Sequence, residues 1–554
     1  MVDSEKQPTT AHFSRWRMPS GRLLPTAMAF LAMGALVAGI AMLAASRHYF
    51  GFGTESDFLD SFLNEATAFL HGKPLEAQYH PPFYAMCVAL LHTLVGDWFT
   101  AGRVLSVFSA AVALVSSFFF FRSSVSETAA WGAVIGLAIS PIFIEYAALA
   151  TSDVFFLALY STVLLLAHRS EQQASPAWWF ITGFALALAL LTRTNALTLV
   201  LILAAPWLAG GQARHTRARG FCFLASGTVV PIAAWVAYAL ISHSNPLPVA
   251  GTATNLALHY FPPQKGAEWA DGIAYAQSRF PNLWAVISHD PIFLIKSYLK
   301  DLYHVFENAF SSYGLFAFPG TCFTLPGLIF FFIVKQPKWL YYAVLLALAQ
   351  LLLVNLMGYQ ARFYLFLPPV IGALAAEFIR QVYWRYPAPA GLVNLGQALI
   401  IMLLGIALYQ SGTMALAAVN GGERELSESI PAAEAAINHD SVVVARKPVI
   451  SYYTSAKRLF MPPGKSLNDL MAYLADLSAT HKAHGSAIYV YYGTQEHYFR
   501  PEYQTLLDVS RILATTRSLK LVARSPGTGR ARWVLYQYLA DRHEREQSRA
   551  TGAP

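Results

Sequence analysis

GTESDFLDSFLNEATAFLHGKPLEAQYHPPFY, residues Gly53–Tyr84, is the stretch whose reading decides the fold. It carries acids, amides and a histidine, yet it lies between two strongly apolar runs. From Asp57 to Leu70 the apolar residues Phe58, Leu59, Phe62, Ala66, Phe69 and Leu70 recur at three- and four-residue steps. That is the period of an amphipathic helix, with Asp57, Asp60, Asn64 and Glu65 on its other side. Gly72 and then Pro74 end it. The segment is too polar to cross a bilayer, so the sequence lays it along the membrane surface with its polar face to water. Tyr79-His80-Pro81-Pro82 then turns the chain rigidly back into apolar sequence.

Composition sets the surroundings of that stretch. Of 554 residues, 55% are hydrophobic and 13% charged, against roughly 25% charged in soluble domains. The apolar residues fall in blocks of about 18–22, long enough to span hydrocarbon. The expected fold class is therefore an α-helical polytopic membrane protein. The net charge of +8 comes from short basic clusters between the blocks, which is the positive-inside pattern and no footprint for nucleic acid. Cys87, Cys222 and Cys322 sit in or beside apolar blocks without metal-type spacing, so they read as buried free thiols.

Taken outward from Gly53, the chain reads as a cytoplasmic tail (1–23) followed by about eleven transmembrane helices within 24–412. External loops are expected at 47–102 and 243–315. Arg214, His215, Arg217 and Arg219 mark a cytoplasmic loop. Ala196–Leu208 is short for a span and reads as partly re-entrant. The composition turns soluble near Thr413. Strands at Ser441–Lys447, Ala487–Tyr492, Leu519–Ser525 and Ala531–Tyr538 alternate with helices at Leu467–Lys482 and Tyr503–Thr516. That predicts a C-terminal α/β domain (413–554) with a mainly parallel sheet, placed outside the membrane by the odd number of spans.

Six residues are candidates for chemistry. Asp57, at the start of the interfacial helix, fits a general base. It equally fits the capping box Thr54-Glu55-Ser56-Asp57, and both readings stand. Asp153 opens a span, where an acid is costly unless used, with Ser152 or Asp153 as a plain N-cap the alternative. Arg193 in Thr192-Arg193-Thr194-Asn195 and Arg362 in Gln360-Ala361-Arg362-Phe363-Tyr364 lie at external span ends, against the positive-inside trend. A guanidinium is a planar, permanently charged fork suited to phosphate, so the pair points to an anionic lipid headgroup such as a polyprenyl phosphate. Snorkelling to ordinary phospholipid is the competing account. His80 and the neighbouring Tyr79 complete the substrate-binding candidates. No Walker loop, HExxH, GxSxG or glycine-rich dinucleotide fingerprint is present. No cofactor or metal is indicated, and a divalent ion is left open.

Together these features resemble the membrane glycosyltransferases of the GT-C fold, in the branch of protein O-mannosyltransferases and the lipid A aminoarabinose transferase. The motifs that carry the resemblance are Asp57 about fifteen residues before Gly72, His80-Pro81-Pro82, Asp153 at a span start, the Thr-Arg-x-Asn break at Arg193, and the run from Arg362 to Pro368. They cover most of residues 24–412. The resemblance implies a bacterial inner-membrane enzyme that moves a sugar from a polyprenyl phosphate to an acceptor lipid, glycan or protein by an inverting single displacement. Asp57 would match the catalytic acid that activates the acceptor hydroxyl, and Asp153 the second site acid. His80 stands where the aminoarabinose transferase has a phosphate-contacting lysine. A histidine there leans away from lipid A modification as the specific task. Two other classes remain at this stage. A transporter or flippase would show inverted repeats and charges inside spans, and an assembly factor would need no interfacial acid pair.

Overall fold

The computed structural model describes residues 23–540, apart from 52–54, 75–79, 209–213, 245–248, 263–268, 310–314, 317–328, 330, 333–335, 357–359, 386–389, 422, 465, 482–485 and 528. The basic tail, Tyr79 and most of the expected span at 316–334 lie outside these residues.

Among the described residues, six helices are long and apolar enough to cross a membrane, or seven if the pair Glu127–Ala138 and Pro141–Ala148, bent by 66°, forms one span. Trp98–Ser124 and Ser152–Gln173 pack side by side in the middle of the bundle. Trp98–Ser124 starts at Asp97, whose carboxylate accepts the Thr100 N–H at 2.7 Å, a regular N-cap. Other expected spans are shorter elements. Pro176–Leu190 is a helix of 15 residues. Thr194–Ala204 is a 3-10 helix that passes into Ala205–Leu208. Phe83–Val95, after the Pro-Pro turn, is a further apolar helix. The loop at 243–315 is largely helical, with Val249–Tyr260, Trp269–Arg279, Leu283–His289 and Pro291–Ala309.

One helix crossing bears directly on the site. Glu127–Ala138 packs closely on Leu367–Arg385. A Cβ added at Gly132 would meet the Gly372 carbonyl oxygen, and one at Gly136 the Pro368 carbonyl. The two main chains touch with no side chain between them, as small residues allow at membrane helix interfaces.

Beyond the long helix Ala390–Val419 and Glu423–Ala436 lies a five-stranded sheet, order β2-β1-β3-β5-β4. Its strands are β1 (Val442–Val444), β2 (Lys457–Leu459), β3 (Ile488–Tyr492), β4 (Leu519–Arg524) and β5 (Val534–Tyr538). β1 runs parallel to β2 and β3, while β5 runs antiparallel to β3 and β4. The sheet is thus mixed, where the sequence predicts a mainly parallel one. The link 525–533 is shorter than the dozen or more residues that a parallel crossover takes, so β4 and β5 pair as a hairpin.

This C-terminal unit packs on the stretch from which the chain is read. Phe50, Phe58, Phe62 and Tyr84 share one buried apolar cluster with Leu426, Ile430, Val449 and Trp533. Each large side chain buried there contributes about 1.5–3 kcal/mol. The Phe50 N–H donates to the Tyr453 hydroxyl at 2.9 Å, and Tyr452 and Tyr453 pack edge-on against Phe50 and Tyr49.

Candidate active site

Asp57 does not sit in an uninterrupted α-helix. The turn Glu55–Asp57 opens into a π turn, Phe58–Phe62, before the α-helix Leu63–Leu70. The wider turn falls directly after the acid, and such π turns recur at functional sites. The helix ends with Gly72 in the left-handed region at φ 61°, as the sequence predicts. The Asp57 carboxylate makes no capping bond. It accepts instead from Arg362, Nη2 at 3.3 Å and Nη1 at 3.4 Å. The Asp57 side chain is 48% exposed, so it stays open to a reactant.

Asp153 follows the same pattern. Thr151, extended at φ −143°, is the N-cap residue of Ser152–Gln173, and its side chain makes no cap bond. Asp153, nearly buried in the first turn, takes a charge-assisted bond from Arg193 Nη1, and that nitrogen also donates to Ser152 Oγ at 3.3 Å. The positive end of the helix favours the buried carboxylate further. Arg193 is extended (φ −149°, ψ 139°) just before its 3-10 helix, and Arg362 lies in the 3-10 turn Ala361–Tyr364. Both arginines therefore occupy breaks between helices, where a long side chain can turn back over the helix end.

The two pairs meet at Phe363. The Arg193 guanidinium lies 5.2 Å and the Arg362 guanidinium 5.1 Å from the centre of that ring. A pocket is lined by Asp153, Arg193, Asn195, Arg362 and Phe363, with Phe156, Leu157, Leu365 and Phe366 on its apolar side. The Asn195 side-chain carbonyl is buried and takes no hydrogen bond among the described residues. The pocket thus joins guanidinium donors, a carboxylate and an amide to an aromatic wall.

Further contacts fix these parts together. Glu55, which the sequence assigns to a capping box, is buried with Arg47, each side chain 1% exposed and the two 2.6 Å apart. Its oxygens also accept the Gly51 N–H at 2.6 Å and the Ala150 N–H at 2.9 Å. Glu55 lies two positions before Asp57, and Ala150 three before Asp153, so one carboxylate staples both acid-bearing segments. At the Pro-Pro turn the Phe83 N–H donates to the Leu191 carbonyl at 2.8 Å, tying His80-Pro81-Pro82 to the Arg193 break. His80 Nδ1 is 2.9 Å from Ser61 Oγ and its ring packs on Phe62 at 4.4 Å. Burial, with Arg193 and then Arg362 acting in the same direction, lowers His80 to about 3. The ring is neutral and brings no charge to an anion.

Part of the polar face of the Asp57 helix meets protein, where the sequence lays it against water. Arg458 on β2 pairs with Asp60 at 2.5 Å, and Lys447, just after β1, donates to Ser56 Oγ at 2.6 Å. Sequence reasoning passed over Glu55, Asn195, Phe363, Lys447 and Arg458. The Asn195 signal was present in the Thr-Arg-x-Asn break. The two basic residues belong to a segment that reads as an unrelated soluble domain. Among the described residues no three His, Cys, Asp or Glu side chains are grouped to hold a metal ion.

The family model for dolichyl-phosphate-mannose-protein mannosyltransferase matches residues 79–242. No curated protein sequence matches the chain. Among solved structures, ArnT from Cupriavidus metallidurans bound to undecaprenyl phosphate is similar at 15% identity and a TM-score of 0.54, over 93% of this chain and 98% of that one. The same protein in the apo state gives 14% identity and a TM-score of 0.53, over 94% and 99%. The Archaeoglobus fulgidus oligosaccharyltransferase gives 12% identity and a TM-score of 0.49, over 84% of this chain and 69% of that one. The architecture is the GT-C fold, mostly helical among the described residues with a small C-terminal sheet.

Proposed function

We propose that this GT-C chain is a glycosyltransferase that moves a sugar from a polyprenyl phosphate to an acceptor hydroxyl, with inversion. The observation that carries the reading is the convergence of Asp57–Arg362 and Asp153–Arg193 at the ring of Phe363. The four charged residues come from four separate stretches of sequence. A structural role for any one of them does not require the other three beside an apolar-walled pocket. The undecaprenyl phosphate bound to the solved ArnT supports a lipid-linked donor, and the mannosyltransferase family match supports sugar transfer.

In this reading Asp57 removes the proton from the acceptor hydroxyl as its oxygen attacks the anomeric carbon. The bond from that carbon to the phosphate oxygen breaks, and the phosphate leaves with the electron pair. Arg362 and Arg193 meet the charge that grows on the departing phosphate. Charge-assisted pairs usually close to about 2.7–2.9 Å, so Arg362 at 3.3 Å holds Asp57 loosely and can turn to a phosphate. Asp153 keeps Arg193 in place from the buried side. His80, being neutral, contributes at most a hydrogen bond to the donor, and Tyr79 is a further contact for it. The chain would comprise a transmembrane catalytic unit at 24–412 and an extracytoplasmic α/β domain at 413–554, with transfer at the outer face of the cytoplasmic membrane.

The test is transfer by the chain reconstituted in nanodiscs, offered a panel of polyprenyl-phosphate sugars and acceptors. Asp57→Asn should lower the rate by roughly 10²–10⁴-fold, the usual scale for losing a general base, while the protein elutes and melts as the wild type does. Substantial turnover by that variant removes Asp57 from the mechanism.

A further inference from the structure

The C-terminal unit brings basic side chains up to the turn and helix that bear Asp57. Lys447 Nζ donates to Ser56 Oγ at 2.6 Å, on the residue next to Asp57. Arg458 pairs with Asp60 one turn further on. Arg446 and Arg458 both lie over Phe460, at 5.8 and 4.3 Å from its centre. This repeats the arrangement of Arg193 and Arg362 over Phe363. Asp57 thus has cations near it both from the membrane part, Arg362, and from the C-terminal unit, Lys447.

We propose that Lys447 is a positioning residue for the transfer reaction. It anchors the turn that bears Asp57 and serves Asp57 and Asp60 as a shared counter-ion, which makes the C-terminal unit a working part of the active site. This rests on the glycosyltransferase reading above. Two carboxylates one turn apart repel each other, and a nearby cation offsets that repulsion. The ammonium of Lys447 interacts electrostatically with each, and burial opposes its charge, so the two acids are what sustain it. Among the described residues, Arg446 and Arg458 also act on Lys447, and Glu496 accepts the Lys447 backbone N–H. Arg362 pairs with Asp57. Losing the lysine therefore removes both a tether and a charge, and the two effects separate by experiment.

The experiment compares wild type, Lys447→Met and Lys447→Arg in nanodiscs. For Lys447→Met, kcat should fall roughly tenfold or more with the KM for the lipid donor little changed. The acidic limb of the kcat profile should move up by about one pH unit, on the scale of losing one nearby opposite charge. Lys447→Arg should restore the limb. An unmoved limb in Lys447→Met, or an arginine variant as impaired as the methionine one, overturns the counter-ion role. Hydrogen exchange of residues 55–62 supplies a readout independent of turnover. It should quicken in Lys447→Met, and wild-type protection there overturns the tether. Activity surviving in Asp57→Asn refutes the reaction assigned above, and the exchange result still decides the tether.

Discussion

Asp57 and Arg362, 305 residues apart in sequence, meet through a carboxylate oxygen that both guanidinium Nη atoms approach, at 3.3 and 3.4 Å. Under the proposed function the contact makes the arginine a shared resource, for which the carboxylate and a lipid phosphate would compete.

That competition predicts opposite effects for the two partners on donor binding. Arg362→Ala should weaken polyprenyl phosphate binding by about 10–100-fold, the scale of a charge-assisted hydrogen bond worth ~1.5–3 kcal/mol. Asp57→Asn frees the guanidinium and should leave that affinity unchanged or tighten it a few-fold, even as transfer is lost. Titrating the lipid phosphate against both variants by tryptophan fluorescence checks the pair. Weakening by Asp57→Asn comparable to that of Arg362→Ala contradicts the shared arginine.

The staple at Glu55 carries a stability prediction. Glu55→Ala leaves the Arg47 guanidinium buried beside Gly51 and Ala150 N–H groups that have lost their acceptor. Breaking a buried pair in this way costs about 3–5 kcal/mol. The melting temperature in detergent should drop clearly, and Glu55→Gln, which keeps an acceptor oxygen, should fall between the variant and the wild type. A melting curve for Glu55→Ala that overlays the wild type would contradict the staple.

The C-terminal unit has its own pH signature. Burial pushes the Glu496 carboxyl from 4.5 up to about 7. Between those values the folded state holds a proton that the unfolded chain has released. Stability therefore falls as pH rises through that window, the sign that linkage gives when the native state binds more protons. Glu496→Gln should flatten this slope while keeping an acceptor for the Gly493 N–H, now 3.2 Å away. Hydrogen exchange across 486–500 between pH 4.5 and 7.5 measures it, and an equal slope in both proteins would rule out Glu496 as the source.

Much of the site was legible because hydrocarbon exposes what does not belong in it. Asp153, Arg193 and Arg362 stood out as charges at the ends of apolar runs, and the structure brings all three to one pocket. Asp57 was ambiguous between cap and catalyst because both uses place an acid at a helix start. In the structure Asp57 makes no capping bond for the turn that follows it and pairs with Arg362, 305 residues away. His80 was legible as a neutral histidine beside the site, while the causes that hold it neutral, burial and two arginines distant in sequence, were not. Long apolar helices such as Trp98–Ser124 were evident from composition, whereas 3-10 segments such as Thr194–Ala204 blur the helical period. The β4–β5 pairing and the approach of Lys447 and Arg458 to the Asp57 helix depend on tertiary packing. No local pattern encodes it.

The crossing of Glu127–Ala138 with Leu367–Arg385 has a mechanical consequence. Side chains between helices act as springs and give under lateral pressure, while main chains in direct contact do not. At Gly136 and Pro368 the two helices are in such contact, six positions beyond Arg362. The guanidinium therefore hangs from a rigid joint. Under the proposed function its depth would be insulated from stretching or thinning of the surrounding lipid, and the bundle could flex elsewhere while the grip on the carrier stays at a constant height.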